Sequence, residues 1–371
     1  MDLRGKYFGP IFDAAGTRGF FGRGYPFHRL PLVSSWYKPL GKHGVYSAFV
    51  TKTIVVRRRV GNMKLMGPEQ DFEPVDLFPD CIWVNPWSGL VVNSVSLSGP
   101  GLEEILRYGV DDRRWYHVGY NNLPKPFMAS FMPEGNTGEE RLADTRAFVT
   151  SLQAKLKLEM NKWLKQTLGV QFNFTCRNAG VNLNDLMAEA GSHFDILGEL
   201  EAPVMAKLNL SVSVEEAREI ANHPACDAIC IGSAIPFGEL PDRIPWEKLF
   251  PEGSPIERRN PAYGKGMLSG VLLLPIAIEW VERAISTGFP KPINAGGGIV
   301  YEEDVGALVS AGLRPGIDAV SVGTATMLRP WNLDGIVHNA HYTLRLTEKP
   351  KAITPKPILK KPLRVRAMVR R

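Results

Sequence analysis

The sequence predicts a (β/α)8 TIM barrel over residues 1–345, with long inserted loops at the catalytic face and a basic tail over 346–371. Three observations lead there. Short apolar runs of strand length alternate with amphipathic helical stretches, and strands separated by helices pair in parallel. The runs number eight, the count that closes such a barrel. Several end in residues that a core does not accept without partners, and in this fold the C-terminal strand ends build the site.

In order, the runs are "PIFDAAG", "SAFVTKT", "FMASFM", "VQFNFTC", "PVMAKLNL", "DAICIGSA", "PINAGGGI" and "DAVSVGTAT". A further segment, "LVVNSVSL", also passes as a strand, and periodicity alone does not exclude it. The intervening helical patterns include Glu139 to Gln166, Val214 to Asn222 (opened by a Ser213/Glu216 capping box), Pro275 to Thr287 and Glu302 to Ala311. After the sixth run comes a long loop, Pro236 to Tyr263, whose length marks it as functional or disordered. Its Trp246, Phe250, Arg258 and Arg259 suit a lid over substrate as well as an ordered surface excursion or a subunit contact.

Composition sets the class. With 44% hydrophobic and 22% charged residues the chain is soluble and globular. The longest apolar stretch, Met267 to Trp280, is interrupted by Ser269, Gly270 and Pro275 and falls short of the roughly 20 residues of a spanning helix. The N-terminus has no signal or transit pattern, so a cytoplasmic protein is expected. The cysteines Cys81, Cys176, Cys226 and Cys230 form no disulfide framework, and Cys226 and Cys230 read as buried thiols. The net charge of +6 comes from the tail: Lys349 to Arg371 holds nine Lys/Arg and no acid, leaving 35 basic against 38 acidic residues in the body. A flexible arm rich in Pro and Lys is expected there.

The strand ends carry the chemistry. Lys52 in "VTKT" and Lys207 in "MAKL" are costly among apolar neighbours unless a polar or anionic group meets them. Asn173 and Cys176 end the fourth run. The seventh and eighth end in Gly296-Gly297-Gly298 and Gly323-Thr324, where bare backbone N–H groups of barrels commonly hold a phosphate. Together with "MLSG" (Met267 to Gly270) they indicate a phosphorylated cofactor.

"AAG" at Ala14 to Gly16, "VTKT", "GN" at Gly61-Asn62, "NSVSL" at Asn93 to Leu97, "NFTCRN", "AKL", "MLSG", "AGGGI" and "VGTA" fall in the order found in dihydroorotate dehydrogenases, which the chain resembles from about Phe8 to Pro330. The resemblance fixes the strand count at eight and implies an FMN-dependent barrel that oxidises dihydroorotate to orotate in pyrimidine biosynthesis. It implies Cys176 as the base that takes the C5 proton, with Lys52, Asn93, Asn173, Asn178 and Ser233 on the substrate. For FMN it implies Ala14, Ala15, Gly16, Lys52, Thr53, Lys207, Ser269, Gly270, Gly297, Gly298, Gly323 and Thr324. A cysteine base and no hydrophobic N-terminal extension match the cytosolic class.

Two departures bear on substrate. Gly232 stands where the family has an Asn on the pyrimidine, so Gly232→Asn is expected to tighten substrate binding; Arg177 replaces the usual Pro after the base. The alternatives are a flavin barrel acting on another dihydropyrimidine, including a tRNA-dihydrouridine synthase, and a non-catalytic barrel subunit. The slightly acidic body argues against nucleic acid. The partners expected are a small-molecule substrate, a second copy in a homodimer and, for electrons passed to NAD, a separate subunit; no metal and no membrane are expected.

Overall fold

The structure is a computed structural model that describes residues 1–40, 47–118, 124–175 and 183–345. Its centre is a parallel barrel of eight strands: β1 (Ile11–Asp13), β2 (Phe49–Val50), β3 (Phe127–Phe131), β4 (Leu168–Asn173), β5 (Val204–Asn209), β6 (Ala228–Ser233), β7 (Ile293–Gly296) and β8 (Ala319–Val322). Seven fall inside the predicted runs, and β4 overlaps its run but starts two residues earlier, at Leu168. Strands follow chain order around the ring, with β8 beside β1. Between β1 and β2 the ring closes through two hydrogen bonds, Ala48 N to Ile11 O (2.8 Å) and Asp13 N to Ala48 O (2.9 Å).

Inward residues fill the lower barrel. Phe8, Phe12, Val50, Met128, Met205 and Cys230 form one buried cluster, closed from below by Met1 and Leu3 of a short N-terminal hairpin. Packing there is tight enough to demand a glycine on β4: a Cβ on Gly169 would lie 2.6 Å from the Met128 sulfur and 2.9 Å from the Phe8 ring. Outside the strands a second core meets the helices, as where Phe131 on β3 stacks on Phe148 with centroids 4.1 Å apart.

The helices form where capping and periodicity place them. The Ser213/Glu216 box opens Val214–Ala221, and Thr137 caps Gly138–Leu156 by accepting from Glu140 N. Pro275 lies in the first turn of Leu273–Ser286, where its missing N–H costs nothing. The single helix expected over Glu139 to Gln166 is instead broken after Leu156, with a 3-10 turn at Glu159–Asn161 and a short helix at Lys162–Thr167. Asn161 causes the break locally by donating its side-chain amide to Lys155 O (3.0 Å), which satisfies a carbonyl at the first helix end.

Two sequence motifs prove to be strands of another sheet. Leu90–Asn93 and Met267–Gly270 pair antiparallel, flanked by Ile82–Asn85 and Ile235–Pro236, in a four-stranded sheet beside the barrel mouth. Residues 236–263 brace this sheet. Phe237, Trp246 and Phe250 pack on one another, with Phe237 and Trp246 centroids 4.6 Å apart, and Phe250 packs on Trp83 at 5.7 Å. Arg259 donates to Ile82 O (3.0 Å), and Arg258 pairs with Glu252 at the surface. Among the described residues no helix is long and apolar enough to cross a membrane.

Candidate functional site

A cavity of about 250 Å³ opens at the C-terminal strand ends, roofed by the side sheet. Its wall at β1 is Asp13 with Ala14, Ala15 and Gly16. The Asp13 carboxylate accepts from Arg18 Nε and Ser47 Oγ; burial pushes its pKa up while the Arg18 guanidinium works against that rise. Arg18 in turn lies over the Phe49 ring, 5.0 Å from its centroid. That corner is therefore a neutralised ion pair.

Lys52 extends from the end of β2 into the cavity, 7% exposed, with its ammonium 3.5 Å from Ser96 O and 5.7 Å from the Phe20 ring centroid. Ser96 sits in the left-handed region at φ +62°, a conformation that costs a non-glycine residue roughly 1 kcal/mol and is held here by its surroundings. Lys207 rises from β5 in register with Asn173 on one side and Cys230 on the other. Burial pushes the Cys230 thiol up to about 11, with the Lys207 charge opposing. Lys52 and Lys207 are the cationic side chains lining the cavity among the described residues.

Between the two lysines runs a chain of hydrogen bonds. Asn173 donates through Nδ2 to Thr53 Oγ1 (3.0 Å), which contacts Ser130 Oγ (3.1 Å). Asn173 Oδ1 accepts from Thr175 N (2.9 Å) and Thr175 Oγ1 (2.6 Å), and Ser233 Oγ on β6 reaches Thr175 Oγ1 at 3.0 Å. Asn93 contributes its amide from the side sheet, opposite Met267 and Ile82, which also line the cavity.

The remaining wall is backbone. Gly297 and Gly298 have φ of +96° and +83°, and Cβ atoms there would meet Leu210 at 2.9 Å and Leu274 N at 2.6 Å. A Cβ on Gly323 would lie 2.8 Å from that of Ala14. Among the described residues, the N–H groups of Gly297, Gly298, Gly323 and Thr324 find no hydrogen-bond acceptor. Four donors so arranged on adjacent strands, facing the cavity, are suited to an anionic group.

No family model matches the sequence, and no curated protein matches it. A solved structure does. A crystal structure of DHODH from Eimeria tenella in complex with ferulenol aligns with a TM-score of 0.61 and 16% identity, over 92% of this chain and 86% of that one. The fold is DHODH-like. At that identity the likeness speaks for the DHODH barrel alone.

Within this DHODH-like barrel the cavity gathers Ala14, Ala15, Gly16, Lys52, Thr53, Asn93, Asn173, Lys207, Ser233, Ser269, Gly297, Gly298, Gly323 and Thr324. Gly270 is not among them. It lies behind the wall, where its carbonyl oxygen is 2.9 Å from the position of a Gly298 Cβ. Cys176, Arg177 and Asn178 lie outside the described residues, as does the tail from 346 on. No residue between 237 and 266 lines the cavity, so the lid reading of the long loop gives way to a brace.

Gly232 overturns another expectation. Strand β6 shifts register between Ile231 and Ser233, and Gly232 takes φ +126° in the bulge. A Cβ there would fall 2.2 Å from Gly296 C, so an asparagine does not fit and Gly232→Asn cannot tighten anything. Sequence reasoning also missed the floor: Gln171, Cys230 and Ser321 line the cavity two residues before Asn173, Gly232 and Gly323. The two-residue strand period was the signal that pointed to them. The apolar wall of Tyr25, Val91, Val95 and Met327 carried no such signal.

Proposed function

We propose that the chain is an FMN-dependent oxidoreductase of the dihydroorotate dehydrogenase type, oxidising dihydroorotate to orotate or acting on a closely related dihydropyrimidine. The observation that carries this reading is the set of acceptor-free N–H groups at Gly297, Gly298, Gly323 and Thr324, on backbone packed too closely to admit a Cβ at the three glycines, an arrangement that suits the phosphate of FMN. Lys207, at the opposite wall, supplies a cation suited to the electron-rich edge of a reduced flavin. When bound, FMN supplies the hydride acceptor.

The protein's own residues bind and orient the substrate. Lys52 brings positive charge for a carboxylate, and the Asn93 amide offers both a donor and an acceptor. Asn173, with its oxygen doubly engaged, keeps one N–H for a carbonyl. Cys176 follows Thr175 directly in sequence and is the proposed base for the C5 proton. The Gly232 backbone leaves β6 with Ser233 as its polar side chain at the mouth, which is why the related dihydropyrimidine stays beside dihydroorotate.

Purified protein is expected to be yellow and to release FMN on denaturation, and anaerobic dihydroorotate is expected to bleach it. Colourless protein that FMN does not reconstitute would end the enzyme reading. Bleaching by another dihydropyrimidine but not by dihydroorotate would correct the substrate. Cys176→Ala should keep the flavin and slow its reduction by roughly 10²–10⁴-fold; wild-type rates would remove Cys176 as the base.

A further inference from the structure

One backbone group dictates the direction of the hydrogen-bond chain at the mouth. A backbone N–H only donates, so the 2.9 Å contact from Thr175 N identifies its partner on Asn173 as the amide oxygen. Thr175 Oγ1, 2.6 Å from the same oxygen, uses its proton there as well. Ser233 Oγ, 3.0 Å from Thr175 Oγ1, then has one way to bond, which is to donate. Toward the cavity that Ser233 lines, the hydroxyl is left with lone pairs and no proton.

We propose that Ser233 is a specificity-determining residue that faces substrate as an acceptor only, selecting a ring N–H and rejecting a carbonyl or ring oxygen at that point. Thr175 is the positioning residue that sets this polarity. The bulge at Gly232 makes the role necessary: Gly296 backbone occupies the space of any side chain there, so β6 supplies no amide that could serve as either donor or acceptor. The recognition role rests on the dihydropyrimidine reading of the cavity, while the polarity of the chain stands without it.

Two measurements separate them. In Ser233→Cys the S–H stretch, isolated as the difference from wild type because Cys81, Cys176, Cys226 and Cys230 absorb in the same region, reports donation with no ligand present. It should lie at lower wavenumber than in Ser233→Cys with Thr175→Val, where the acceptor is gone. The second is calorimetric binding of orotate and of its two analogues in which oxygen replaces one ring N–H. Wild type should disfavour at least one analogue by roughly 10–100-fold, since a hydrogen bond is lost and two lone pairs meet. Thr175→Val frees the Ser233 proton to turn into the cavity, so that analogue should bind it about tenfold more tightly than it binds wild type. A gain of that kind does not arise from damage to the fold.

An unshifted S–H band would overturn the polarity whatever binds. A shifted band with equal affinity for orotate and both analogues would overturn the recognition role. A shifted band with no binding of any of the three would sink the dihydropyrimidine reading, and the recognition role with it, and would leave the polarity standing.

Discussion

The two sides of the cavity are built from different materials. From β6 to β8 the wall is backbone, with Gly232, Gly297, Gly298 and Gly323 packed so closely that a Cβ at any of them meets another atom at 2.9 Å or less. From β2 to β5 it is side chain: Lys52, Thr53, Asn173, Thr175 and Lys207, joined in part by hydrogen bonds of ordinary length. The backbone side therefore fixes shape and offers donors, as a phosphate requires. The side-chain side fixes which atoms of a ligand face donors and which face acceptors. Substitutions on the two sides should accordingly differ in kind.

The largest effect should come from the backbone side. Gly232→Ala combines a φ of +126° with a Cβ 2.2 Å from Gly296 C, and it should cost more than about 3 kcal/mol in unfolding free energy or abolish folding. Chemical denaturation of the purified variant measures it. A loss under about 1 kcal/mol would mean that β6 and β7 separate easily and that the backbone wall is soft.

A smaller effect is expected across the cavity. Thr53→Val keeps the shape but removes the acceptor of Asn173 Nδ2, leaving a buried N–H unpaired at about 1–3 kcal/mol. Thr53→Ser restores the hydroxyl and should recover most of that. Equal losses for Val and Ser would assign the effect to packing rather than to the hydrogen bond.

The contrast also explains what the sequence revealed. The barrel was legible because each strand is a compact apolar run between helical patterns, and the glycine wall because Gly-Gly-Gly and Gly-Thr, each alone an ordinary strand terminator, end two adjacent strands in company with "MLSG". "LVVNSVSL" was legible as a strand but not as a member of a second sheet, since period two is the same whether the partner is parallel or antiparallel, and "MLSG" was legible as a cofactor motif but not as a strand. Gly232 looked like a missing asparagine because its contact with Gly296 joins residues 64 positions apart. The polarity of Ser233 was hidden for the same reason: it depends on Thr175, a neighbour in space across two strands.

Acid should act on the two sides unequally. His193, fully buried on helix Ala190–Gly198, packs on Phe172 of β4 with ring centroids 5.1 Å apart and contacts Thr145 Oγ1 at 2.9 Å, behind the side-chain wall. Burial lowers its pKa from the usual 6.5 to about 4, although Glu189, 3.5 Å away, pulls upward. The folded chain thus binds fewer protons at this site than the unfolded chain between those values. Its contribution to stability is fully present above pH 6.5 and is lost as the pH falls toward 4. From pH 7.5 to 5.5 the loss should be about 1 kcal/mol. His28, which burial lowers to about 3, adds a loss of the same sign near Tyr25, so the wild-type slope alone does not isolate His193. His193→Gln does: it retains a polar contact for Thr145 without a titrating group, and its stability should fall by about 1 kcal/mol less than wild type over that range. Amide exchange sharpens the comparison, since acid should lower protection factors on β4 more than on β8 in wild type and equally in the variant. Parallel pH slopes for the two proteins would show that His193 is not the group through which acid weakens the side-chain wall.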